Sequence, residues 1–193
     1  MTPRAREIAA AARALLEESG PAALTMRALA DRLGIKAPSL YKHFPDKHAV
    51  EVELTAQMLT ESAAALEAAE ALEAAEALEA AEALETAEAL EAAEAHTPGS
   101  LEALAEAYRA YALAHPHLYC LATEQPLPRT ELPEGLEDRA ALPLLRACAG
   151  DLDLARAVWA FAHGMVILEI HGRFPADADL DAAWKRGLKA LHP

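Results

Sequence analysis

Apolar residues recur every three or four positions along the first fifty residues, and this period predicts three short helices. The helices cover about Arg4–Ser19, Met26–Leu33 and Ala37–Phe44. Thr25 is a good N-cap for the second helix, and Pro38 fits the first turn of the third. Because Gly34 permits a sharp left-handed turn between them, the last two helices are typical of a helix-turn-helix.

A six-residue repeat fills Leu66–Ala95, with the units LEAAEA, LEAAEA, LEAAEA, LETAEA and LEAAEA. Ala, Leu and Glu favour a continuous helix, which begins near Asp46 or Lys47. Six residues advance about 600°, so successive leucines step around the helix by about 240°, which does not suit a coiled coil. Glu recurs ten times without a Lys or Arg in the run. We interpret the repeat as an expanded low-complexity helix, and favour a protruding arm over a rod between domains.

Helical patterns return after the breaker His96–Ser100. The later helices are predicted at about Leu101–Ala114, around Leu118, and at about Leu136–Ala149, Leu152–Gly172 and Ala178–Leu191. The predicted fold class is therefore all-α. Its parts are a three-helix helix-turn-helix domain over residues 1–47, a connecting helix with the repeat over residues 48–95, and a helical domain over residues 100–193.

Charge is divided unevenly along the chain. The first fifty residues hold eight Lys and Arg against five acids, a net +3, so the remainder carries −17 and the whole chain −14. A basic head on an acidic body suits contact of the head alone with phosphate. Cys120 and Cys148 form neither a paired framework nor a CxxC motif, and no run of eighteen apolar residues occurs. We therefore expect a cytoplasmic protein without a membrane span.

The string TMRALADRLGIKAPSLYKHFPDK, at Thr25–Lys47, closely resembles the DNA-binding domain of the TetR family of bacterial transcriptional repressors. Farther along, Trp159 with His163-Gly164 is similar to the W…HG signature of one class of TetR-type ligand domains, and Ala112–Pro116 also resembles that class. The resemblance implies a homodimeric repressor that binds palindromic operator DNA and is released by a small-molecule effector. It offers no counterpart for the repeat.

The second helix of a helix-turn-helix enters the major groove, which defines the candidate DNA contacts. Lys36 can bind guanine acceptors or phosphate, Ser39 can bond to a base, and Ala37 and Pro38 can touch thymine methyls. Backbone contacts are expected from the residues around this helix and at the start of the preceding one. These residues are Thr25, Arg27, Tyr41, Lys42, His43 and Lys47. Simpler roles stay open for three residues: Thr25 as a cap, His43 packed beside Phe44, and Arg27 in solvent.

Aromatic and polar side chains at helical spacing are candidates for a ligand pocket in the C-terminal domain. They are Tyr108, Tyr111, Cys120, Trp159, His163 and Met165, and membership of the core is the alternative for each. His115, His117 and Cys120 lie close in sequence, but Pro116 intervenes and no i, i+4 spacing joins them. The sequence therefore predicts no metal site, and it indicates no other cofactor.

The last two helices are the predicted dimer surface, with Leu180, Trp184 and Leu188 on one stripe that also suits an internal core. The sequence contains no nucleophile elbow, phosphate loop or zinc helix motif, so an enzyme is not predicted. The alternative function is an acidic helical interaction or scaffold protein that uses the Glu-rich repeat to bind basic partners.

Overall fold

The computed structural model describes residues 1–84 and 100–191, and these residues form nine helices and no strand. The helices are α1 (Pro3–Ser19), α2 (Met26–Arg32), α3 (Ala37–Tyr41), α4 (Lys47–Leu84), α5 (Leu101–Ala114), α6 (Pro116–Thr123), α7 (Leu136–Ala147), α8 (Leu152–Ile170) and α9 (Leu180–Leu191). The all-α class is confirmed. The chain divides into two compact units, Met1–Thr60 with His115–Glu137 and Glu61–Ala114 with Asp138–Pro193.

Helix α1 is the central element of the first unit, and its sequence explains both of its ends. The Thr2 hydroxyl oxygen accepts the Ala5 N–H at 3.2 Å, while Gly20 ends the helix with a φ of +76°. The buried positions form one amphipathic stripe: Ala5, Ile8, Ala9, Ala12 and Leu16. Helices α2 and α6 both pack against α1. The first unit thus includes α6, a helix that the sequence-based boundaries place in the second domain.

Glu17 joins the end of α1 to the start of α6. Its carboxylate accepts the Leu118 N–H at 3.3 Å, and its backbone carbonyl lies 3.1 Å from His117 Nδ1. Because a carbonyl oxygen only accepts, His117 donates from Nδ1 and carries its proton there. These long-range hydrogen bonds explain why α6 belongs with the N-terminal helices.

In the second unit, polar side chains from two other helices contact the ring of Trp184 in α9. The indole N–H donates to Glu169 at 2.6 Å, and the Arg109 guanidinium lies 5.6 Å from the ring centroid. Arg109 also bonds the Glu169 carboxylate at 2.7 Å and Asp181 at 2.6 Å. The Glu169 side chain is only 6% exposed, so these donors compensate the charge that the fold buries. The network ties α9 to α5 and α8.

The three residues predicted on a dimer stripe differ in exposure. Trp184 and Leu188 are buried within the single chain, whereas Leu180 is half-buried. The sequence left both an internal core and a dimer surface open for this stripe, and internal contacts account for its two buried members. Participation of α9 in a dimer stays a prediction.

Gly187 allows α9 to approach α8 closely. A Cβ at this position would overlap Cζ and Cε2 of the Phe161 ring, which itself packs edge-on against Trp184 at 5.5 Å. Glycine inside a helix costs roughly 0.5–1 kcal/mol relative to alanine. The close approach of Phe161 therefore explains a residue that helix propensity alone disfavours.

Helix α4 carries the repeat, and its leucines occupy different faces. Leu66 is 7% exposed, whereas Leu72 is 62% and Leu78 is 39% exposed. This difference agrees with the predicted rotation of about 240° between successive leucines, which places Leu72 and Leu78 away from the buried face of Leu66. The helix predicted for the repeat is also confirmed over its described part, while residues 85–95 and the breaker at 96–99 lie outside the described residues.

Candidate nucleic-acid interface

Local capping and a glycine turn position α2 and α3 as a helix-turn-helix. The Thr25 hydroxyl oxygen caps α2 by accepting the Ala28 N–H at 3.1 Å. Gly34 has a φ of +63°, and its N–H bonds the Asp31 carbonyl at 3.2 Å, so the chain reverses within two residues. Lys36 then opens α3, as the predicted turn requires.

Helix α3 is anchored by one side chain and presents the others to solvent. Leu40 is fully buried, and the Phe44 N–H extends the turn by bonding the Leu40 carbonyl at 3.0 Å. Tyr41, one residue beyond the anchor, is 50% exposed. A large aromatic ring left in solvent beside a buried leucine is a candidate contact residue rather than part of the core.

The structure places the ten predicted DNA contacts in the first unit. Eight are exposed and two are half-buried: Thr25, Arg27, Lys36, Pro38, Ser39, Tyr41, Lys42 and His43 in the first group, and Ala37 and Lys47 in the second. A packed role for His43 does not agree with this exposure, whereas Arg27 lies in solvent and is available to DNA. Thr25 does cap α2, and its exposure leaves a DNA contact compatible with that role.

Several basic side chains of the first unit already have acidic neighbours, which the sequence analysis missed. Lys47 pairs with Glu51 at 3.0 Å, and Arg32 forms two bonds to Glu18 at 2.6 and 2.7 Å. The hydrogen bond from Arg32 lowers the pKa of the Glu18 carboxyl. The i, i+4 spacing on α4 could have revealed the first pair, whereas the second joins residues fourteen positions apart.

Lys36 and Lys42 differ from these paired cations. Across the parts of the chain that the structure describes, neither has an acid within ion-pair distance, and both are exposed. Phosphate or base acceptors therefore meet no internal competitor at these two ammonium groups. Arg27 is intermediate between the paired and the unpaired cations. Its Nε lies 3.9 Å from an Asp31 carboxylate oxygen, and the arginine side chain is 93% exposed.

A loop of the first unit is fastened to the start of α4 by His48 and Glu131. His48 Nε2 lies 2.9 Å from the Glu131 carboxylate, and this hydrogen bond, with the negative charge, raises the pKa of His48 above its ordinary 6.5. Because the folded state holds the proton more tightly, the pair stabilises the fold fully below pH 6.5. Its contribution is lost as the pH rises through the raised pKa.

Replacing Glu131 by Gln is expected to return the pKa of His48 toward 6.5, because the variant removes the negative charge and the strongest acceptor. A proton NMR titration of the His48 ring measures this shift. Glu134→Gln, an exposed change in the same loop, is the matched control and should leave the titration unchanged. Identical titrations in all three proteins would contradict the pairing.

Cys120 belongs to a different unit from the other predicted ligand residues. It lies on α6 in the first unit, whereas the other five lie in the second. Its side chain is buried, and burial raises the pKa of the thiol to about 11. The thiol is therefore protonated at neutral pH and is a poor nucleophile.

The five ligand candidates in the second unit lie on α5 and α8. On α5, Tyr108 and Tyr111 are half-buried, and the Tyr111 hydroxyl donates to Glu61 at 3.1 Å. On α8, the Trp159 ring stacks on His163 with 5.8 Å between centroids, and Trp159 is 52% exposed. Their pocket role stays a prediction, as it does for the half-buried Met165.

Comparison with known protein families assigns both parts of the chain. The model described as "Bacterial regulatory proteins, tetR family" matches residues 8–54, and "Tetracyclin repressor-like, C-terminal domain" matches residues 101–191. The two matches cover most of the sequence and agree with each other. The chain belongs to the TetR family of bacterial transcriptional regulators, which are DNA-binding regulators rather than enzymes.

Individual relatives agree with this assignment. The class A tetracycline repressor protein from transposon 1721 of Escherichia coli is 48% identical over 48 residues, which are 25% of this chain and 22% of that protein. The matched region thus spans about a fifth of that relative.

No described helix is long and apolar enough to cross a membrane.

Two solved structures share the fold. The protein SCO4313 superposes with a TM-score of 0.71 at 24% identity, over 97% of this chain and 94% of that one. A single-residue variant of TetR from Acinetobacter baumannii AYE, in complex with minocycline, gives a TM-score of 0.59 at 24% identity, over 95% and 91% of the two chains. At these identities the likeness establishes the fold.

Proposed function

We propose that this protein is a cytoplasmic transcriptional repressor that binds palindromic operator DNA as a homodimer and releases it on binding a small-molecule effector. The observation that carries the proposal is the exposed surface of α3. Lys36 and Ser39 lie in solvent at the start of this helix, while Leu40 anchors it in the core.

The chemistry of this surface suits direct reading of bases. An ammonium group donates to the O6 and N7 acceptors of guanine, and a hydroxyl both donates and accepts. Pro38 adds an apolar contact for a thymine methyl, and Tyr41 and Lys42 suit phosphate contacts that fix the position of the helix. A helix of five residues reads few bases, so adequate specificity calls for a second protomer on a symmetric site.

Helix α8 offers the surface that we assign to the second protomer. Leu152 is 51% and Trp159 is 52% exposed, and both lie with His163 on one face, since the spacings of seven and four residues keep them aligned. Exposed large apolar side chains in such a row are typical of an interface. We accordingly propose that Trp159 and His163 contact the partner, and this proposal replaces the pocket role that the sequence predicts for these two residues.

The effector is proposed to bind in the second unit beside the half-buried Tyr108, Tyr111 and Met165. The minocycline complex of a protein with the same fold supports a small organic molecule as its class. Such a ligand changes DNA affinity only by binding the two conformations of the protein unequally.

Replacing Lys36 and Ser39 together by Ala should lower DNA affinity by about a thousandfold, since two base contacts in each of two protomers, at roughly 1 kcal/mol or more each, sum to about 4 kcal/mol. Fluorescence anisotropy on a duplex that the unmodified protein selects from a random pool measures the loss. Lys185→Ala with Thr130→Ala removes the same chemical groups from exposed positions elsewhere and is the matched control. Unchanged affinity in a folded Lys36/Ser39 variant would contradict the proposal.

A further inference from the structure

Glutamates at the N-terminal end of the repeat contact other parts of the second unit. The Glu67 carboxylate accepts two hydrogen bonds from Arg139 on α7, at 2.8 and 2.7 Å. One turn farther along α4, Glu70 accepts a bond from Arg146 on α7 at 2.9 Å. The cations absent from the repeat are thus supplied by a helix more than seventy residues away in sequence.

The next glutamate, Glu73, holds the start of α5. Its carboxylate accepts both the hydroxyl of Ser100, at 2.6 Å, and the Ser100 backbone N–H. The Ser100 oxygen in turn accepts the Ala103 N–H at 3.1 Å and caps α5. Residues 73 and 100 are therefore in direct contact, although 27 positions separate them.

Beyond Glu73, the described side chains of the repeat lie farther from the core. Glu76 and Glu79 are exposed, and Leu78 occupies a face different from that of the buried Leu66. A helix rises about 1.5 Å per residue, so a straight rod over residues 74–99 would end roughly 40 Å from Glu73. The contact between Glu73 and Ser100 is incompatible with such a rod. The chain that leaves at Glu73 returns to the same place.

We propose that Leu66–Glu73 form a clamp that holds α4 to the rest of the second unit, and that whole copies of the repeat after Glu73 can be removed without altering this unit. The sequence explains why removing copies leaves the residues of the clamp unchanged. Because the copies are nearly identical, removing up to three of the five leaves a Leu and the same pattern of Glu at the clamp positions. On this proposal, the copies after Glu73 transmit no geometry along the chain.

Two deletions test whether the copies after Glu73 are dispensable. One removes a single copy, residues 90–95, and the other removes three copies, residues 78–95, which leaves two copies before the Pro98-Gly99 turn. Both proteins should unfold within about 2 °C of the parent and bind its selected DNA duplex with the same affinity. A transmitting rod predicts instead that the single-copy deletion is the more harmful, since six residues rotate the helix by about 120° out of phase and eighteen restore it. That order, or a fall above about 5 °C in either deletion, would overturn the proposal.

Matched double substitutions test the clamp. Glu67→Ala with Glu70→Ala should lower the unfolding midpoint by about 2–4 °C, because Arg139 and Arg146 lose their partners. Glu76→Ala with Glu79→Ala makes the same chemical change within the same repeat at exposed positions, and should leave the midpoint unchanged or slightly raised. Equal midpoints in the two variants would show that the clamp does not exist.

Discussion

Replacing Gly187 by Ala is expected to destabilise the second unit by about 2–3 kcal/mol and to lower its unfolding midpoint by about 5–10 °C. The added methyl group overlaps the Phe161 ring, which cannot move freely because it packs edge-on against Trp184. Displacing that ring also disturbs the site where the indole N–H bonds the buried Glu169. Thermal unfolding followed by circular dichroism measures the loss.

Gly164→Ala provides the control for this substitution. Gly164 also lies within a helix, but a Cβ there would enter open space. Removing a helical glycine should therefore leave the free energy of unfolding unchanged or raise it by up to about 1 kcal/mol. The unfolding midpoint should accordingly stay the same or rise. If both alanine variants unfold at the same temperature, the close packing of α9 on Phe161 is not a determinant of stability.

Replacing Trp159 by Glu is expected to convert the proposed dimer into monomers and to remove most of the affinity for DNA. The substitution places a charge in the proposed contact face of α8, and two-fold symmetry introduces it twice. A monomer engages one half-site only and loses the second set of contacts. Analytical ultracentrifugation should find a mass near 20.6 kDa instead of about twice that value.

Leu113→Glu is the control for this interface. Leu113 is a large apolar residue on α5 with 41% of its surface exposed, so the chemical change and the starting exposure are similar. This variant should remain a dimer and keep its affinity for DNA. A Trp159→Glu protein that is folded and still dimeric would contradict the placement of the interface on α8.

Local sequence signals predicted the helix-turn-helix geometry well. Thr25 as a cap and Gly34 as a left-handed turn are decided by the chemistry of one or two residues, so a pattern of neighbours is sufficient to find them. The end of α3 was less predictable. The sequence pattern continued to Phe44, but the helix ends at Tyr41, and a further turn closes where the Phe44 N–H bonds the Leu40 carbonyl.

The contacts that the sequence did not predict join residues that lie far apart in the chain. A stripe through Trp184 suits a dimer face as well as a core, and only the positions of Glu169 and Arg109 show that its indole is internal. In the same way, no pattern within the repeat indicates that Glu67 meets Arg139, a residue 72 positions later. Such pairs depend on how helices pack, and helical periodicity carries no information about it.

Selection of binding sequences from a pool of random duplex DNA tests the central claim most directly. The account predicts that the unmodified protein enriches an inverted repeat whose half-sites lie about one helical turn apart. It also predicts that the Lys36→Ala, Ser39→Ala protein loses this enrichment. Recovery of no common sequence by the parent, or of the same sequence by the double variant, would contradict the reading of DNA by α3.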